Sequence, residues 1–456
     1  MRYPKNCGKR WLATAAAALS LGCGGGDASE KVGGGAVDPD TNALLVAPGK
    51  SVSGGYSHSC VLLLGGAVHC FGDNVYGQLG RSAESADASP GAVPSTAVDL
   101  GTQRMAKVLV SGSHHNCAIL DNDQLKCWGY NADGQLGLED SANRGVDSAL
   151  GDALPAVNLG TGRTAKAVAL GETHTCAILD TNRVKCWGLA YEGALGYGDG
   201  LDRGAVPGTM GDDLPTVDLG SGRTAKAIAV TSYRTSCAIL DDDKVKCWGV
   251  NQSCNLGNGD GDVLSYGYGE DTMGDRLPYV DIGVGRTALA IAAKGYTVCV
   301  LRDNHTVKCW GSNSSGQVGI DSASWSIGCS AADMGDAGVV ALGDGDVTAI
   351  DVGAAHACAL HSSGEVQCWG DNASGQLGVG DTIERRAPSA SLALGPGFVP
   401  RVMALGGSHT CAISNENRVK CWGEGSAGQL MNSSFSDVGS GPGQMGRALA
   451  YSTLGS

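Results

Sequence analysis

The sequence is short of basic residues, of aromatic side chains and of long apolar runs. Lysine and arginine together number 32, against 46 aspartate and glutamate residues, which gives a formal charge of −14. A surface this acidic repels a phosphate backbone, and the basic footprint that most nucleic-acid-binding proteins carry is missing. We therefore expect no nucleic-acid partner.

The sequence motifs of common catalytic sites are missing as well. No nucleophile elbow, phosphate-binding loop or metalloprotease helix motif occurs in the 456 residues. The acidic triplets at 260–262 and 344–346 (both Asp-Gly-Asp) lack the spaced ligands and the terminal glutamate of an EF-hand. Solvated loops explain these triplets better than calcium sites do. We expect no catalytic residue, no metal site and no cofactor.

One apolar run lies near the N-terminus, from Trp11 to Leu21. Its 11 residues are fewer than the roughly 20 that a membrane-spanning helix needs. The first 22 residues carry four positive charges and no negative one, a pattern typical of a secretory signal. Removing these charges takes the formal charge from −14 to −18.

Residues 19–23 (Leu-Ser-Leu-Gly-Cys) resemble the lipobox of bacterial lipoproteins, in which the cysteine is diacylated. The match is imperfect, because Ser20 stands where an aliphatic residue is expected; ordinary signal-peptide cleavage nearby is the alternative. We expect residues 1–22 to be a lipoprotein-type signal peptide and Cys23 to carry lipid. Residues 23–43 then form a Gly-rich flexible tether. This predicts a cell-envelope location, as an outer-membrane lipoprotein or an extracellular protein.

Glycine is abundant, with 73 residues, and an internal repeat explains much of it. The stretch at 171–188, GETHTCAILDTNRVKCWG, recurs seven times with small changes, and successive copies lie 53 to 62 residues apart. In this copy we predict strands over 165–170, 174–179 and 184–188, and a fourth over 215–219 after a long loop. Four short strands per unit, separated by turn residues, are typical of a propeller blade. The sequence therefore predicts an all-β fold over 44–456, a seven-bladed β-propeller of four-stranded antiparallel blades.

The repeat also carries a family resemblance. Cys-Trp-Gly-x-Asn-x-x-Gly-Gln-Leu-Gly occurs at 127–137 and 368–378, with variants at 70–80 and 309–319. With the preceding Gly-x-x-His-x-x-Ala, it is similar to the repeat of the regulator of chromosome condensation family. Members of that family that act as nuclear guanine-nucleotide exchange factors lack the cysteines and the export signal, so we do not expect exchange activity. Secreted bacterial relatives of this fold, which bind proteins through a propeller face, are the closer analogy.

The C-terminal segment suggests how the ring closes. Residues 444–456 resemble residues 209–221, which lead into an outer strand between repeats. The first repeat has little chain before it from which to build such a strand. We therefore predict that the C-terminal strand completes the blade that begins near residue 50.

Each unit contains two cysteines ten positions apart. Strand alternation places Cys176 and Ile178 on the same face as Val184 and Cys186 of the neighbouring strand, and one register pairs all four. Directly opposed residues lie about 4.5 Å apart at Cα, within disulfide range. Two thiolates per blade supply no four-ligand zinc cluster, and an oxidising compartment favours disulfides. The predicted pairs are Cys60–Cys70, Cys117–Cys127, Cys176–Cys186, Cys237–Cys247, Cys299–Cys309, Cys358–Cys368 and Cys411–Cys421. Cys254 and Cys329 lie outside this pattern. We expect them either to form a bridge between neighbouring blades or to remain two free thiols.

A recurring histidine occupies a fixed repeat position, at His58, His115, His174, His356 and His409, with Thr235 and Thr297 in the other two units. Copies at equivalent places round a ring lie too far apart to converge on one substrate. We therefore interpret the histidine as structural, hydrogen-bonded to a neighbouring turn. The recurring tryptophans, with Phe71 in the first unit, are interpreted as packing between blades; they are Trp128, Trp187, Trp248, Trp310, Trp369 and Trp422.

Sequence variation between repeats concentrates in the loops that follow Gly-Gln-Leu-Gly, roughly 81–100, 138–153, 197–213, 258–277, 320–345 and 379–397. Binding specificity usually resides in variable loops on a rigid scaffold. We interpret the chain as a monomeric, non-catalytic scaffold that binds an unknown protein partner at the cell surface or in the periplasm and contacts the membrane through a lipid anchor. An enzyme acting on envelope polysaccharide is the alternative.

Overall fold

The computed structural model describes residues 52–81, 96–146, 150–432 and 434–452, and these ranges contain seven antiparallel sheets of three or four strands. The predicted all-β propeller is confirmed. The proposed signal peptide, Cys23 and tether lie outside the described residues. No helix in the described part of the chain has both the length and the hydropathy needed to cross a membrane.

Each blade takes three consecutive strands from one repeat. Blade 1 contains β1 (Val52–Gly54), β2 (His58–Leu62) and β3 (Val68–Gly72); blade 2 contains β4 (Ala106–Ser111), β5 (His115–Leu120) and β6 (Leu125–Gly129); blade 3 contains β7 (Ala165–Leu170), β8 (His174–Leu179) and β9 (Val184–Gly188). Blade 4 contains β10 (Ala225–Val230), β11 (Thr235–Leu240), β12 (Val245–Val250) and β13 (Ser265–Tyr266); blade 5 contains β14 (Ala288–Lys294), β15 (Thr297–Arg302), β16 (Val307–Ser312) and β17 (Ser326–Ile327). Blade 6 contains β18 (Val347–Val352), β19 (His356–His361) and β20 (Val366–Gly370), and blade 7 contains β21 (Pro400–Leu405), β22 (His409–Ser414) and β23 (Val419–Gly423). Short 3-10 turns follow the third strands, at Gly151–Ala153, Tyr191–Gly193, Gly211–Asp213, Gly274–Arg276 and Ala331–Asp333.

The register of the second and third strands places the paired cysteines opposite each other. In blade 3, Cys176 faces Cys186 and Ile178 faces Val184. All seven such pairs are disulfides, with Cα–Cα distances of 4.0 to 4.1 Å. An eighth disulfide joins Cys254 to Cys329 and connects the loops of blades 4 and 5.

The core lies between the blades, so the second strand is buried on both faces and along its whole length. The tryptophans pack there as predicted. The Trp187 ring is fully buried in a cluster with Ile119 and Leu136 of blade 2, and its Nε1 donates to the Gln135 carbonyl, 3.0 Å away. Phe71 packs against Ala404 of blade 7 in the same way.

Each blade also has a short outer segment, later in the chain, that bonds to the third strand; in blade 3 this segment replaces the strand that we predicted over 215–219. In blades 4 and 5, the two-residue strands β13 and β17 pair separately with the end of the third strand. In blade 3, the Val217 amide donates to the Val184 carbonyl, 2.8 Å away, inside the segment predicted as a strand. In blade 1, the Val98 amide donates to the Val68 carbonyl in the same manner. Every blade, including the first, therefore takes its outer segment from its own repeat.

The prediction that the C-terminal strand completes the first blade is wrong. The Ser452 amide donates to the Val419 carbonyl, 2.9 Å away, which makes this segment the outer edge of blade 7. The Lys420 ammonium binds the Leu394 and Gly446 carbonyls and holds the segment beside blade 6. The likeness of 444–456 to 209–221 reflects an equivalent position in its own blade, because each outer segment follows its own third strand.

The ring closes instead through the side-by-side contact of blades 1 and 7. Val52 and Val61 share a buried cluster with Ala404 and Ile413. Lys294 of blade 5 reaches across the central channel, and its Nζ donates to the Gly54 carbonyl (2.5 Å) and to the Leu405 carbonyl (2.8 Å). One cation thus joins the first and the last blade at the channel wall, which is formed by the first strands of the blades.

Candidate functional site

The ring has two faces that are built from different connections. The loop face contains the short loops that join the first strand of each blade to the second, and the loops that follow the third strand. The turn face contains the hairpin turns that join the second strand to the third. We keep these two names below, since the candidate site lies on the loop face.

A row of buried histidines supports the loop face from below. Each is the first residue of a second strand, is fully buried, and binds a side chain of the next blade rather than the neighbouring turn that we predicted. The Nε2 contacts are His58 to Asn116 (2.9 Å), His115 to Thr175 (2.9 Å), His174 to Ser236 (2.9 Å), His356 to Thr410 (2.9 Å) and His409 to Ser59 (2.7 Å). The row therefore links blades, and the predicted structural role is retained with a different partner.

The two threonines in this row follow from the residue opposite them. The side chain that would face Thr235 is Val298, and the one that would face Thr297 is Ala357; neither can accept a hydrogen bond. Each threonine hydroxyl turns instead to its own blade, where Thr235 Oγ1 donates to the Val250 carbonyl, 2.7 Å away. Histidine occurs where the next blade supplies an acceptor.

Burial keeps these imidazoles neutral. It lowers the pKa of His58 to about 4 and that of His115, His174 and His356 to about 3, and it lowers the pKa of His409 well below the usual value. A group that does not titrate near neutral pH and lies under a layer of loops is a poor acid–base catalyst.

Hydrogen bonds between blades fix the loops around the channel mouth. Backbone amides donate from Tyr56 to the Ser113 carbonyl, from Ser113 to the Gly171 carbonyl, from Glu172 to the Ser232 carbonyl, from Ala354 to the Gly407 carbonyl and from Gly407 to the Gly55 carbonyl, at 3.0 to 3.4 Å. The Gly295 amide of blade 5 adds a link to blade 4 by donating to Ser232 Oγ, 3.2 Å away. Side chains on these loops are therefore presented from a rigid support.

Aromatic side chains on the loop face form a surface that we call the aromatic crescent. Its members lie on blades 1 to 5 and are Tyr56, Tyr76, His114, Tyr130, Tyr191, Tyr233 and Tyr296. Blades 6 and 7 carry small residues at the inner loop positions, namely Ala354, Ala355, Gly407 and Ser408. Six of the 12 tyrosines of the sequence are thus gathered on one side of one face.

The rings of the crescent support one another while remaining open to solvent. Tyr233 and Tyr296 are stacked with centroids 3.8 Å apart, and Tyr76 contacts both His114 (5.3 Å) and Tyr130 (4.7 Å). Tyr56 is 50% exposed and Tyr233 is 37% exposed. Pre-ordered, exposed tyrosines are typical anchors of protein–protein interfaces, because they bury a large area with little loss of conformational entropy.

Glu172 lies at the centre of the crescent, between His114 and Tyr233 round the channel mouth. Burial raises the pKa of Asp133 and of Tyr233, and the Glu172 carboxylate adds to both shifts. Burial lowers the pKa of His114, and Glu172 acts against that shift. The crescent is therefore aromatic and negatively charged.

The turn face of blades 2 to 5 has the opposite character, because its charges are paired within each of these repeats. The ion pairs are Arg104–Asp121 (3.3 Å), Lys107–Asp123 (2.5 Å), Arg163–Asp180 (3.0 Å), Arg223–Asp241 (3.3 Å), Lys226–Asp243 (2.7 Å) and Arg286–Asp303 (3.3 Å). Within the described ranges, no group of three or more His, Cys, Asp or Glu side chains is placed to hold a metal ion. This includes the acidic triplet at 260–262, whose Asp260 carboxylate accepts from the Asp262 amide.

Sequence reasoning missed the crescent because it looked at the long variable loops. The crescent residues lie instead on the short Gly-x-x-His loops and just after the third strands. A signal was available: Tyr56, His114, Tyr233 and Tyr296 occupy a loop that is otherwise filled by small residues in an almost constant repeat. In blade 4 this loop also has one extra residue, since Thr231 and Thr235 are four positions apart where Gly171 and His174 are three apart.

Family models describe most of these repeats. Matches to the regulator of chromosome condensation (RCC1) repeat cover residues 50–78, 107–135, 165–194, 289–317, 347–376 and 403–429. A second model of the same repeat matches residues 123–178 and 363–413. All four strands of blade 4, which has the inserted loop residue, fall between these matches.

Several known proteins resemble the chain over most of its length. The ultraviolet-B receptor UVR8 of Arabidopsis thaliana is 29% identical over 386 residues, which are 83% of this chain and 78% of the receptor. The probable E3 ubiquitin-protein ligase HERC6 of Homo sapiens is 28% identical over 69% of this chain, but the match spans 28% of that protein. The structure of Prp20p from Saccharomyces cerevisiae, a protein described with its binding to Gsp1p and histones, superposes with a TM-score of 0.62 over 80% of this chain and 83% of its own. At 17% identity that likeness shows the fold alone.

Proposed function

The chain belongs to the regulator of chromosome condensation (RCC1) repeat family, and from this premise we propose that it is a non-catalytic scaffold whose loop face binds a protein partner. The observation that carries the proposal is the aromatic crescent on loops that are hydrogen-bonded from blade to blade. Prp20p, which shares the fold, is described as binding Gsp1p and histones, and both are proteins. One fold hosts many activities, so the crescent, rather than the family, gives the proposal its content.

A comparison of two double variants tests which face binds. The first, Tyr233→Ala with Tyr296→Ala, removes the stacked pair from the crescent; the second, Arg163→Ala with Arg286→Ala, removes two cations from the turn face. Tagged chains with either change are used to capture proteins from solubilised envelope. We expect the captured set to be lost with the first variant and retained with the second, provided that both melt within a few degrees of the unchanged protein. Equal capture by both variants would overturn the proposal.

We further propose that the scaffold is held in the cell envelope through lipid on Cys23. The lipobox-like segment supports this, and eight disulfides are typical of an oxidising compartment. A Cys23→Ser variant is expected to fractionate as soluble protein while the unchanged chain stays with membranes. Unchanged membrane partitioning of the variant contradicts the anchor and leaves the loop-face proposal standing.

A further inference from the structure

The two carboxylates of the crescent make no direct contact with a cation of the protein, although the Arg234 guanidinium lies close enough to Asp133 to favour its charged form. Among the described residues, neither the Glu172 carboxylate nor the Asp133 carboxylate has an ion-pair or hydrogen-bond partner. The carboxylates of the turn face differ, since Asp121, Asp180 and Asp303 each pair with an arginine. The loop face thus retains carboxylates that are available to a ligand.

The cations near the crescent are already engaged. The Lys294 ammonium is bound by two backbone carbonyls in the channel, Gly54 and Leu405. The Arg234 guanidinium lies over the Tyr191 ring, 5.1 Å from its centroid. This second contact shows that a tyrosine at the edge of the crescent accepts a guanidinium against its face.

An aromatic ring with a nearby carboxylate is a well-suited receptor for an organic cation. The face of the ring attracts the charge, the carboxylate pairs with it, and the apolar stem of a lysine or arginine covers the rings. Charges of complementary sign across an interface also accelerate association and exclude wrong partners. An acidic partner segment would be repelled by the Glu172 and Asp133 carboxylates. An apolar segment would remove both carboxylates from water without supplying a partner, which also disfavours binding.

We propose that the crescent binds a segment of its partner that carries lysine or arginine, with the cation lying against Tyr233 and Tyr296 and paired with Glu172. This inference rests on the proposed function and names the chemistry of the partner surface. Asp133 provides a second site of negative charge on the blade 2 side, so a segment with two or more cations matches the crescent better than one with a single cation.

Three synthetic peptides that differ at only four positions test the proposal. These positions are filled by arginine and lysine in the cationic peptide, by glutamine in the neutral peptide and by glutamate in the acidic peptide. Binding to the full chain is measured by titration calorimetry at physiological salt, where the general attraction of an acidic protein is screened beyond about 8 Å. We expect the cationic peptide to bind at least about tenfold more tightly than the glutamine peptide, and the glutamate peptide to show no binding.

Matched variants separate the crescent from general attraction. Glu172→Gln and Tyr233→Ala are each expected to weaken the cationic peptide about five- to tenfold, the scale of one ion pair or cation–π contact. Asp344→Asn removes the same charge from an exposed position away from the loop face and is expected to change the affinity less than about twofold.

Each outcome decides between the two proposals. Equal affinity for the cationic and the glutamine peptide, or an equal effect of Glu172→Gln and Asp344→Asn, overturns the cationic partner. If partner capture still depends on Tyr233 and Tyr296 in that case, the scaffold proposal stands. If the crescent variants change neither peptide binding nor capture, both proposals fall.

Discussion

The two faces of the ring are built from the same seven repeats, yet they differ in how far each repeat resembles the next. On the turn face, the same arginine–aspartate pair recurs in the four consecutive blades 2 to 5, as in Arg163–Asp180 and Arg286–Asp303. On the loop face, the equivalent loop carries Tyr56 in blade 1, Glu172 in blade 3 and Ala354 in blade 6. The turn face is self-paired in the same way in blades 2 to 5, whereas the loop face differs from blade to blade and is partly unpaired.

This difference indicates which residues of a repeat protein serve the structure and which serve binding. A contact that recurs in every blade, such as the disulfide between the second and third strands, stabilises the ring as a whole. A side chain that breaks the pattern on a rigid loop contributes to one place only, which is what recognition of a partner requires. Immediately below the varied loops lies the uniform histidine row, so the loop face combines a constant support with a variable surface.

The largest expected effect is acid unfolding, caused by the histidine row under the loop face. An unfolded histidine binds a proton below about pH 6.5, whereas four of the buried ones do so only near pH 3 to 4 and His409 is shifted in the same direction. Between these limits the unfolded state holds more protons, so the free energy of unfolding falls as the pH decreases from about 6.5. At pH 5 each of the four histidines whose pKa lies at about 3 to 4 costs about 2 kcal/mol, and together these costs are a large share of the stability of a typical domain.

Denaturant titrations from pH 8 to pH 4.5 with the disulfides intact measure this slope. Below pH 6 the histidines contribute about 1.4 kcal/mol per pH unit each. His174→Thr should reduce the slope by about one fifth of their contribution, since it removes one of the five. A flat profile down to pH 5 would show that the row is hydrated or already charged, contrary to its complete burial.

The next effect concerns Lys294, which joins blades 1 and 7 beside the mouth of the loop face. Lys294→Met keeps the stem but leaves the Gly54 and Leu405 carbonyls without their charged donor, and we expect a loss of about 2 to 4 kcal/mol. Hydrogen exchange should rise first at the blade 1–blade 7 contact. Lys107→Met on the turn face is the control, and a similar loss in both variants would contradict a special role of Lys294.

The sequence allowed the blades to be predicted almost completely, because their rules are local. The Cys176–Cys186 register follows from strand alternation and a ten-residue spacing, and the structure has that register in every blade. Ring closure was mispredicted, because the segment 444–456 was assigned to the first blade although its likeness to 209–221 places it in its own repeat. The Ser452 amide bonds to the Val419 carbonyl just as Val217 bonds to Val184 in blade 3, so the likeness was informative and the error lay in assigning the segment to another blade.

The candidate site was less predictable than the fold, for a physical reason. Its residues come from five repeats and become neighbours only when the ring forms, as Tyr233 and Tyr296 do across 63 positions of the chain. Periodicity identifies what recurs, and the crescent consists of what does not recur. The partner of each histidine was missed similarly, since the pairing of His174 with Ser236 crosses a blade boundary.

A smaller effect tests the pairing rule of the histidine row. His174→Thr removes a buried hydrogen bond to Ser236 and leaves space, and we expect a loss of about 1 to 3 kcal/mol. Adding Ser236→Val recreates the Thr235–Val298 combination that blades 4 and 5 use. The double variant should therefore lose less than the sum of the single changes, as measured by a double-mutant cycle. Additive losses would mean that the two positions are independent and that the natural pattern has another cause.

The smallest effect is expected on the turn face, where the ion pairs are exposed. Arg163→Ala removes a pair whose arginine and aspartate side chains are 36% and 34% exposed, and such pairs contribute about 0 to 1 kcal/mol because water and salt screen them. The thermal midpoint of this variant should stay within a few degrees of the unchanged protein, and the difference should shrink further at 1 M salt. Binding of the cationic peptide is the second measurement, and it should stay unchanged because Asp180 lies on the face opposite the crescent. Two results would contradict this separation of the faces: a loss of several kcal/mol in the free energy of unfolding, or a change in peptide affinity as large as that caused by Tyr233→Ala. Either result would mean that the turn face and the loop face are coupled through the blade.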